Sequence, residues 1–242
     1  MLARVFQNFL GPNRLPGRVA VVAAGECGDG WKWERLDKHA YVTKGLSYNG
    51  DGLCEYGGLP MHNLNSVYEG GGYKHPGLKR YKGDYKGRHL CFPGEVIVAN
   101  TEQGFDELLI GSCAIVPERY GASGLFTHHL YRVNARDDST LTNQFIYLAL
   151  QCREFRENVL AFTNGTTVNG LERAGLEELL VPVPPRPVMD AFEAMVSPMF
   201  QRLESCEHSA DILRSTRELL LPRLLSGEVH VPEVEHQLEA AL

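Results

Sequence analysis

The most chemically distinctive stretch of this sequence lies between residues 72 and 90, where basic and aromatic side chains alternate with glycines. It holds six Lys or Arg residues and one acid, Asp84, which gives a local charge of +5. Lys and Arg neutralise phosphates, and Asn, Arg and Lys can hydrogen-bond base edges in the major groove of DNA. Tyr contacts phosphate and sugar. This composition favours polyanion binding, with a solvated loop face as the alternative.

Sequence motifs that carry catalysis are missing from the chain. There is no Gly-x-Ser-x-Gly, no His-Glu-x-x-His and no Gly-x-x-x-x-Gly-Lys-Ser/Thr. A DNA-adenine methyltransferase would need a glycine-rich cofactor loop after a strand and an Asn/Asp-Pro-Pro-Tyr/Phe element, and neither occurs. Gly70 to Gly72 lie in a loop and do not open a helix, so they do not indicate a phosphate site. We therefore expect no catalytic residues in this chain.

Residues with metal-binding chemistry are scattered. His128 and His129 are adjacent in a predicted strand over residues 126–133, where neighbouring side chains point to opposite faces, so we expect no shared metal. The six cysteines form no Cys-x-x-Cys and no zinc-type pairing with His. We interpret them as reduced thiols, which is typical of a cytoplasmic protein. We expect no metal site.

Net charge and hydropathy exclude two broad classes. The 242-residue chain has a net charge of −6, which argues against a generally basic nucleic-acid binder but leaves room for a local basic face. Residues 186–242 carry five Arg and ten acids, so charge is divided unevenly along the chain. No apolar run reaches the roughly 18 residues of a transmembrane helix.

Secondary-structure signals are weak before residue 95 and stronger after it. Residues 45–95 have the Gly, Tyr, Asn and Pro content of long loops with short strands. Strands are predicted at 96–99, 113–116 and 126–133. A helix starting at Leu141, capped by Ser139 or Thr140, carries apolar residues at spacings of three and four. That stripe consists of Leu141, Phe145, Leu148, Cys152, Phe155 and Val159. The prolines at 182, 184, 185 and 187 are expected to stop regular structure.

The last segment has the spacing of a long amphipathic helix close to a heptad seam. Pro198 is expected to kink or divide it. Residues 199–221 as one helix would span about 35 Å. We expect a partner helix to cover the seam, and packing on the chain's own domain is the alternative. The candidate partner-contacting residues are Phe192, Met195, Met199, Leu203, Cys206, Leu213, Leu220 and Leu224.

Residues 1–29 are interpreted as an N-terminal extension. They carry three Arg before residue 25, and their apolar part is too short for a secretory signal. The alternative is that residues 18–24 form one strand added to the sheet.

Several ordered segments resemble one protein family. Residues 162–171, which contain Gly-Thr-Thr-Val, lead into a short apolar run and a Pro-Pro break. The segments 31–36, 92–98 and 219–229 complete the set. In this order they resemble the target-recognition domain and helical ending of type I restriction-modification specificity subunits. The similarity covers about residues 31–230, and the ordered set is more specific than any single segment.

The resemblance implies a fold and a role. The fold is α+β, a target-recognition domain with a mixed β-sheet and long loops, followed by a long C-terminal helix for antiparallel coiled-coil pairing. The family's subunit is non-catalytic, binds double-stranded DNA and docks methyltransferase subunits, which transfer a methyl group from S-adenosylmethionine to adenine N6. Restriction subunits can join. The resemblance thus implies no cofactor on this chain and S-adenosylmethionine on its partner.

Length separates this chain from the usual family member, which has two recognition domains and two helical spacers in roughly twice the residues. The chain therefore resembles either a half-subunit or a fragment. For a half-subunit we expect a homodimer through the C-terminal helix and a bipartite target. The predicted boundaries are 1–29 for the extension, 30–185 for the recognition domain, 186–228 for the helical spacer and dimerisation region, and 229–242 for a tail.

Charge and loop composition alone select the candidate DNA-contacting residues. They are Lys44, Tyr48, Asn63, Tyr73, Lys74, Lys79, Arg80, Lys82, Lys86 and Arg88. Two other functions compete with DNA recognition. One is a protein-interaction module that docks through its long helix without specific DNA binding. The other is a stand-alone DNA methyltransferase or nuclease, which the missing motifs disfavour.

Overall fold

The computed structural model describes residues 25–27, 30–103, 108–165 and 168–229. Two compact units meet between Val196 and Ser197; we call them the N-terminal unit and the C-terminal unit. The architecture is α+β, as predicted from the sequence. The alternative strand at 18–24 and most of the predicted C-terminal tail lie outside the described residues.

Short strands dominate the described part of the N-terminal unit. In chain order they are β1 (Gly25–Cys27), β2 (Trp31–Arg35), β3 (Ala40–Lys44), β4 (Leu53–Cys54), β5 (Leu59–His62), β6 (Lys79–Tyr81), β7 (Leu90–Cys91), β8 (Val96–Ala99), β9 (Thr101–Gln103), β10 (Cys113–Ile115), β11 (Gly124–Phe126), β12 (Leu130–Ala135), β13 (Thr163–Asn164), β14 (Val168–Leu171) and β15 (Leu180–Val183).

One three-stranded antiparallel sheet joins the two ends of this unit, in the order β1-β2-β15. Trp31 and Trp33 of β2 are buried. Pro182 lies within β15, opposite Trp33, so the expectation that it stops regular structure was wrong. An edge strand accepts proline because the outward-facing side of the strand needs no N–H donor. This pairing ties β15, and the helix that follows it, to the start of the unit.

The centre of the unit is a four-stranded antiparallel sheet, ordered β10-β8-β12-β3, with β8 buried along its whole length. Two helices, α1 (Asn143–Gln151) and α2 (Arg153–Leu160), follow it in the chain. The cap of α1 is Thr142, which accepts the Phe145 N–H, and not Ser139 or Thr140. All six residues of the predicted apolar stripe are buried. The single helix predicted from Leu141 was wrong, because the extended backbone of Cys152 divides it into α1 and α2.

Two further sheets and a short helix complete the unit. Strands β13, β14 and β9 form a small antiparallel sheet in that order, and the helix α3 (Ala174–Glu177) connects β14 to β15. The other sheet is mixed, ordered β4-β6-β5-β11-β7, with β5 and β11 parallel. Most of its strands come from the stretch 45–95. The strand predicted at 126–133 is in fact β11 and β12, which are separated by a turn at residues 127–129.

A 40-residue helix, α4 (Arg186–Leu225), begins directly after β15 and continues into the C-terminal unit. Pro187 lies in its first turn, where no backbone donor is required. Pro198 lies inside the helix and does not divide it, contrary to the expectation. The first turns of α4 are anchored by Met189, Phe192 and Val196, which are buried in the N-terminal unit and help offset the hydrogen bond that proline cannot donate. The described residues contain no helix apolar enough over a sufficient length to cross a membrane.

Candidate nucleic-acid interface

Strand β6 carries two of the predicted basic residues on the mixed sheet. Lys79 is exposed, and its Nζ lies 3.0 Å from the Tyr48 hydroxyl and 5.6 Å from the centre of the Tyr48 ring. Tyr48 in turn packs edge-on against Tyr81 at 5.8 Å. This contact orients the Lys79 ammonium group on the surface without neutralising it.

Arg80 is exposed and has a structural role that its charge did not indicate. Its Nη1 donates to the carbonyl oxygen of Gly58 at 2.9 Å and lies 3.4 Å from that of Gly57. Both glycines have positive φ, which a side chain would strain. The guanidinium therefore holds a tight turn. That turn presents Tyr56, which is 83% exposed and which sequence reasoning missed, although a Tyr followed by two glycines marked the position.

The loop between β6 and β7 supplies the next group of cations. Lys82, Lys86 and Arg88 are exposed. Arg88 Nε lies 3.2 Å from His89 Nε2, and His89 is itself buried. Burial lowers the pKa of His89, and the neighbouring Arg88 and Lys86 lower it further. The loop therefore has a positive potential that acts on its own histidine.

Lys74 is half-buried, with its Nζ 5.7 Å from the centre of the Tyr68 ring. It lies in the segment that precedes β6, after the Gly70–Gly72 loop. Within the described residues, no carboxylate lies within ion-pair distance of any of the predicted basic residues. These are Lys44, Lys74, Lys79, Arg80, Lys82, Lys86 and Arg88. Uncompensated charge of this kind suits a polyanion.

Two predicted contact residues are buried, so the structure corrects their assignment. Asn63 caps the short helical turn at 64–66, and its Nδ2 donates to Gly77 O at 3.1 Å. The Tyr73 hydroxyl lies 2.7 Å from His62 Nδ1, and burial raises the pKa of Tyr73. The polar groups of both side chains are used within the protein. They shape the loops and are not presented to a surface ligand.

The two adjacent histidines occupy a turn rather than a strand. The ring centres of His128 and His129 are 3.9 Å apart, so the side chains do not point to opposite faces as expected. Lys44 ends β3, opposite Tyr131 of β12, which begins just after this turn. Burial lowers the pKa of His129, and His128, Lys44 and Lys79 lower it further. A lysine of the central sheet and a lysine of the mixed sheet therefore act on the same histidine in this turn.

The predicted partner-contacting residues of α4 separate into two groups. Phe192 is buried in the N-terminal unit, where its ring meets that of Phe145 edge-on at 5.6 Å, so it is unavailable to a partner. Met199 is half-buried. The remaining six are exposed, namely Met195, Leu203, Cys206, Leu213, Leu220 and Leu224. The exposed seam therefore begins one turn later than the sequence indicated.

Groups of three or more His, Cys, Asp or Glu side chains placed to hold a metal ion are not found in the part of the chain that the structure describes. The described cysteines Cys54, Cys91, Cys113, Cys152 and Cys206 are free thiols. Cys91 and Cys113 are buried, and burial raises the pKa of both thiols, that of Cys113 to about 12. Neither is suited to act as a nucleophile.

No family model matches this chain. A curated relative, the type I restriction enzyme MjaIX specificity subunit of Methanocaldococcus jannaschii, is 30% identical over 100 residues, which are 40% of this chain and 23% of the relative.

Solved structures with this fold include the type I restriction-modification S subunit from M. genitalium, with a TM-score of 0.59, 19% identity and coverage of 83% of this chain and 47% of that one. The HsdS subunit from Thermoanaerobacter tengcongensis has a TM-score of 0.56 and 16% identity, over 94% of this chain and 51% of that one. A chain from a structure of an assembled type I R-M system has a TM-score of 0.57 and 16% identity, over 90% of this chain and 49% of that one.

The comparisons confirm the resemblance predicted from the sequence. The fold is that of type I specificity subunits, and part of the sequence matches one of them. The chain spans about half the length of the solved subunits, and its match covers about a quarter of the curated relative.

Proposed function

We propose that this chain acts as the target-recognition part of a type I restriction-modification specificity subunit. In this role it binds a DNA target and directs adenine-N6 methyltransferase subunits to it. The observation that carries the proposal is the fold shared with S subunits over 83% to 94% of this chain. The sequence match to a specificity subunit supports it independently.

DNA contact is assigned to the surface around β6 and the loop that follows it. Lys79, Lys82, Lys86 and Arg88 are exposed there without carboxylate partners among the described residues. Phosphate contacts from such side chains supply affinity and fix orientation on the duplex, whereas base contacts supply specificity. Tyr56, on the turn held by Arg80, adds an exposed aromatic side chain to this surface.

Methyl transfer belongs to the partner in this proposal. S-adenosylmethionine binds to the methyltransferase subunits, and this chain binds no cofactor and contributes no catalytic group. Restriction subunits join the same assembly where cleavage occurs. The absence of methyltransferase and nuclease motifs from the sequence supports this division of roles.

Two copies of the chain pair through antiparallel α4 helices. The exposed seam on α4 supports this pairing, because a contiguous apolar stripe is rarely left in water and knobs-into-holes packing buries it. A two-fold dimer places two identical recognition units on DNA in inverted orientation, so the bipartite target is an interrupted palindrome.

Reconstituted methylation tests the proposal. The methyltransferase subunit that accompanies this chain is incubated with genomic DNA and labelled S-adenosylmethionine, with and without the chain. The proposal expects incorporation only when both proteins are present, at one sequence motif. Equal incorporation without the chain would refute it.

A protein-interaction module without specific DNA binding is the second candidate, favoured by the exposed seam of α4. A titration of the chain with duplex DNA at two salt concentrations separates the two. Phosphate contacts make affinity fall steeply with salt. An interaction module gives no binding at either concentration.

A further inference from the structure

We propose that the turn at residues 127–129, together with Lys44 and Lys79, forms a phosphodiester-binding site in which His128 and His129 contact the DNA backbone. This inference rests on the proposed DNA-recognition function and names a contact that neither charge counting nor the comparisons assign. We call this set of side chains the histidine-turn site.

The backbone of the turn is held from several elements. Buried Asn100 donates its backbone N–H to His129 O at 3.0 Å and its Nδ2 to His128 O at 3.0 Å. The backbone N–H of His128 donates to Leu46 O at 2.9 Å, and that of Thr127 donates to His62 O at 3.0 Å. The two imidazoles therefore project from a fixed frame, and a binding site needs such preorganisation.

The ring of His129 has a fixed orientation with one nitrogen unused. Its Nδ1 lies 2.8 Å from Thr101 Oγ1, within hydrogen-bond distance. No partner for Nε2 is found within the described ranges. His128 Nδ1 is buried and has no hydrogen-bond partner there either. A buried nitrogen such as His128 Nδ1 costs free energy while it is unpaired. His129 Nε2 is left to donate to a bound phosphate oxygen.

Like charges converge on the same turn. Lys44 of β3 and Lys79 of β6 both lower the pKa of His129, as nearby positive charges do. His128 lowers it in the same way. These are the charged groups that act on His129 in the part of the chain that the structure describes, and none of them is an acid. Neither lysine has an ion-pair partner there. With His128 and His129 they make four cationic or protonatable groups with no acid acting on His129 among the described residues, and groups of this kind donate to phosphate oxygens.

Binding of a phosphodiester reverses the electrostatics of the turn. Burial, and then the positive charges of the two lysines, disfavour the imidazolium form of His129 in the free protein. A phosphate between them favours the imidazolium, so DNA binding draws a proton onto the site. The affinity for DNA therefore increases as pH falls through the pKa that His129 has in the DNA-bound state. It stops increasing below the pKa that His129 has in the free protein.

The experiment uses the full chain and a short duplex, with affinity measured by fluorescence anisotropy between about pH 7.5 and about pH 5.5, where histidines titrate. Wild type should gain up to tenfold in affinity per pH unit for each proton taken up. The double variant His128→Asn, His129→Gln keeps the backbone hydrogen bonds of the turn and should lose this pH-dependent increase. His208→Gln, an exposed residue of the C-terminal unit, is the matched control and should retain it.

The Lys44→Ala variant supplies a second readout. The slope of log affinity against log salt should decrease by about 0.9, because this substitution removes one cation that binds a phosphate. If the double variant keeps the wild-type affinity and pH profile while wild type binds DNA, the inference is overturned and the proposed function stands. If wild type binds DNA at no pH, both are overturned. If inorganic phosphate raises the pKa of His129 by NMR but duplex DNA does not, the site binds anions other than DNA and the inference is overturned.

Discussion

Charged substitutions in the seam of α4 should convert a dimer into monomers. Leu203 is 44% exposed and Leu213 is 69% exposed, and both lie in the C-terminal unit on the exposed seam. Burial of a whole leucine side chain contributes about 1.5–3 kcal/mol. Scaled by its exposed fraction, Leu213 contributes about 1–2 kcal/mol per copy in a dimer interface.

A two-fold dimer contains each seam residue twice, so the loss at Leu213 alone is about 2–4 kcal/mol. This corresponds to a dimer dissociation constant raised about 30-fold to about 700-fold. Substitution by Asp increases the loss, because an unpaired carboxylate would have to be buried. Leu203→Asp with Leu213→Asp should therefore abolish the dimer at tens of micromolar.

Light scattering on the purified chain measures this change directly. The control is Gln201→Asp, which adds one carboxylate at an exposed position about 200° around the helix from Leu203. The control should remain dimeric, and circular dichroism should show unchanged folding in both variants. A wild-type chain that is monomeric at tens of micromolar, or a dimer that survives both Asp substitutions, would refute the reasoning.

Three other predictions follow from the structure. Replacing Lys79 and Lys82 by Ala should weaken DNA binding and reduce the salt slope by about two, at about 0.9 per phosphate contact, without loss of stability; an unchanged slope would place the interface elsewhere. The purified chain alone should show no methyltransferase, nuclease or nucleotide-hydrolysis activity, and methyl transfer to DNA by the isolated chain would contradict this. Burial lowers the pKa of His62 from 6.5 to about 4, so the unfolded chain binds one more proton between these values. The free energy of unfolding should therefore fall by about 3 kcal/mol as pH falls from 6.5 to 4, at 1.36 kcal/mol per unit. Urea unfolding should show a smaller fall in His62→Gln, and an equal fall in that variant would contradict the assignment.

Apolar residues that repeat over several helical turns were the sequence signal that predicted the structure best. The apolar stripe from Leu141 to Val159 is buried as expected, because a helical face repeats often enough to be recognised. The strands predicted at 96–99 and 113–116 were found for a different reason, because each is an apolar run bounded by turns. The mixed sheet was predicted as loops with short strands, since its strands lie among Gly, Pro, Asn and Tyr residues and form no continuous apolar runs of that kind.

Local chemistry was harder to predict than periodicity. Pro198 is accommodated inside α4 because the helix is anchored before it by Phe192 and Val196, a tertiary effect that propensity does not contain. Positive charge on Arg80 indicated a DNA contact, and composition did not show that its guanidinium also holds the turn at Gly57 and Gly58. Composition shows which side chains are present, but only the fold shows which of them already have partners.

Adenine-methylation mapping tests the central claim most directly. Genomic DNA is sequenced from cells that express the chain together with its methyltransferase partner, and from cells that express the partner alone. The account predicts N6-methyladenine at one interrupted palindrome that appears only when the chain is present. Methylation that is identical in both cultures, or absent from both, would contradict the proposal that this chain selects the target.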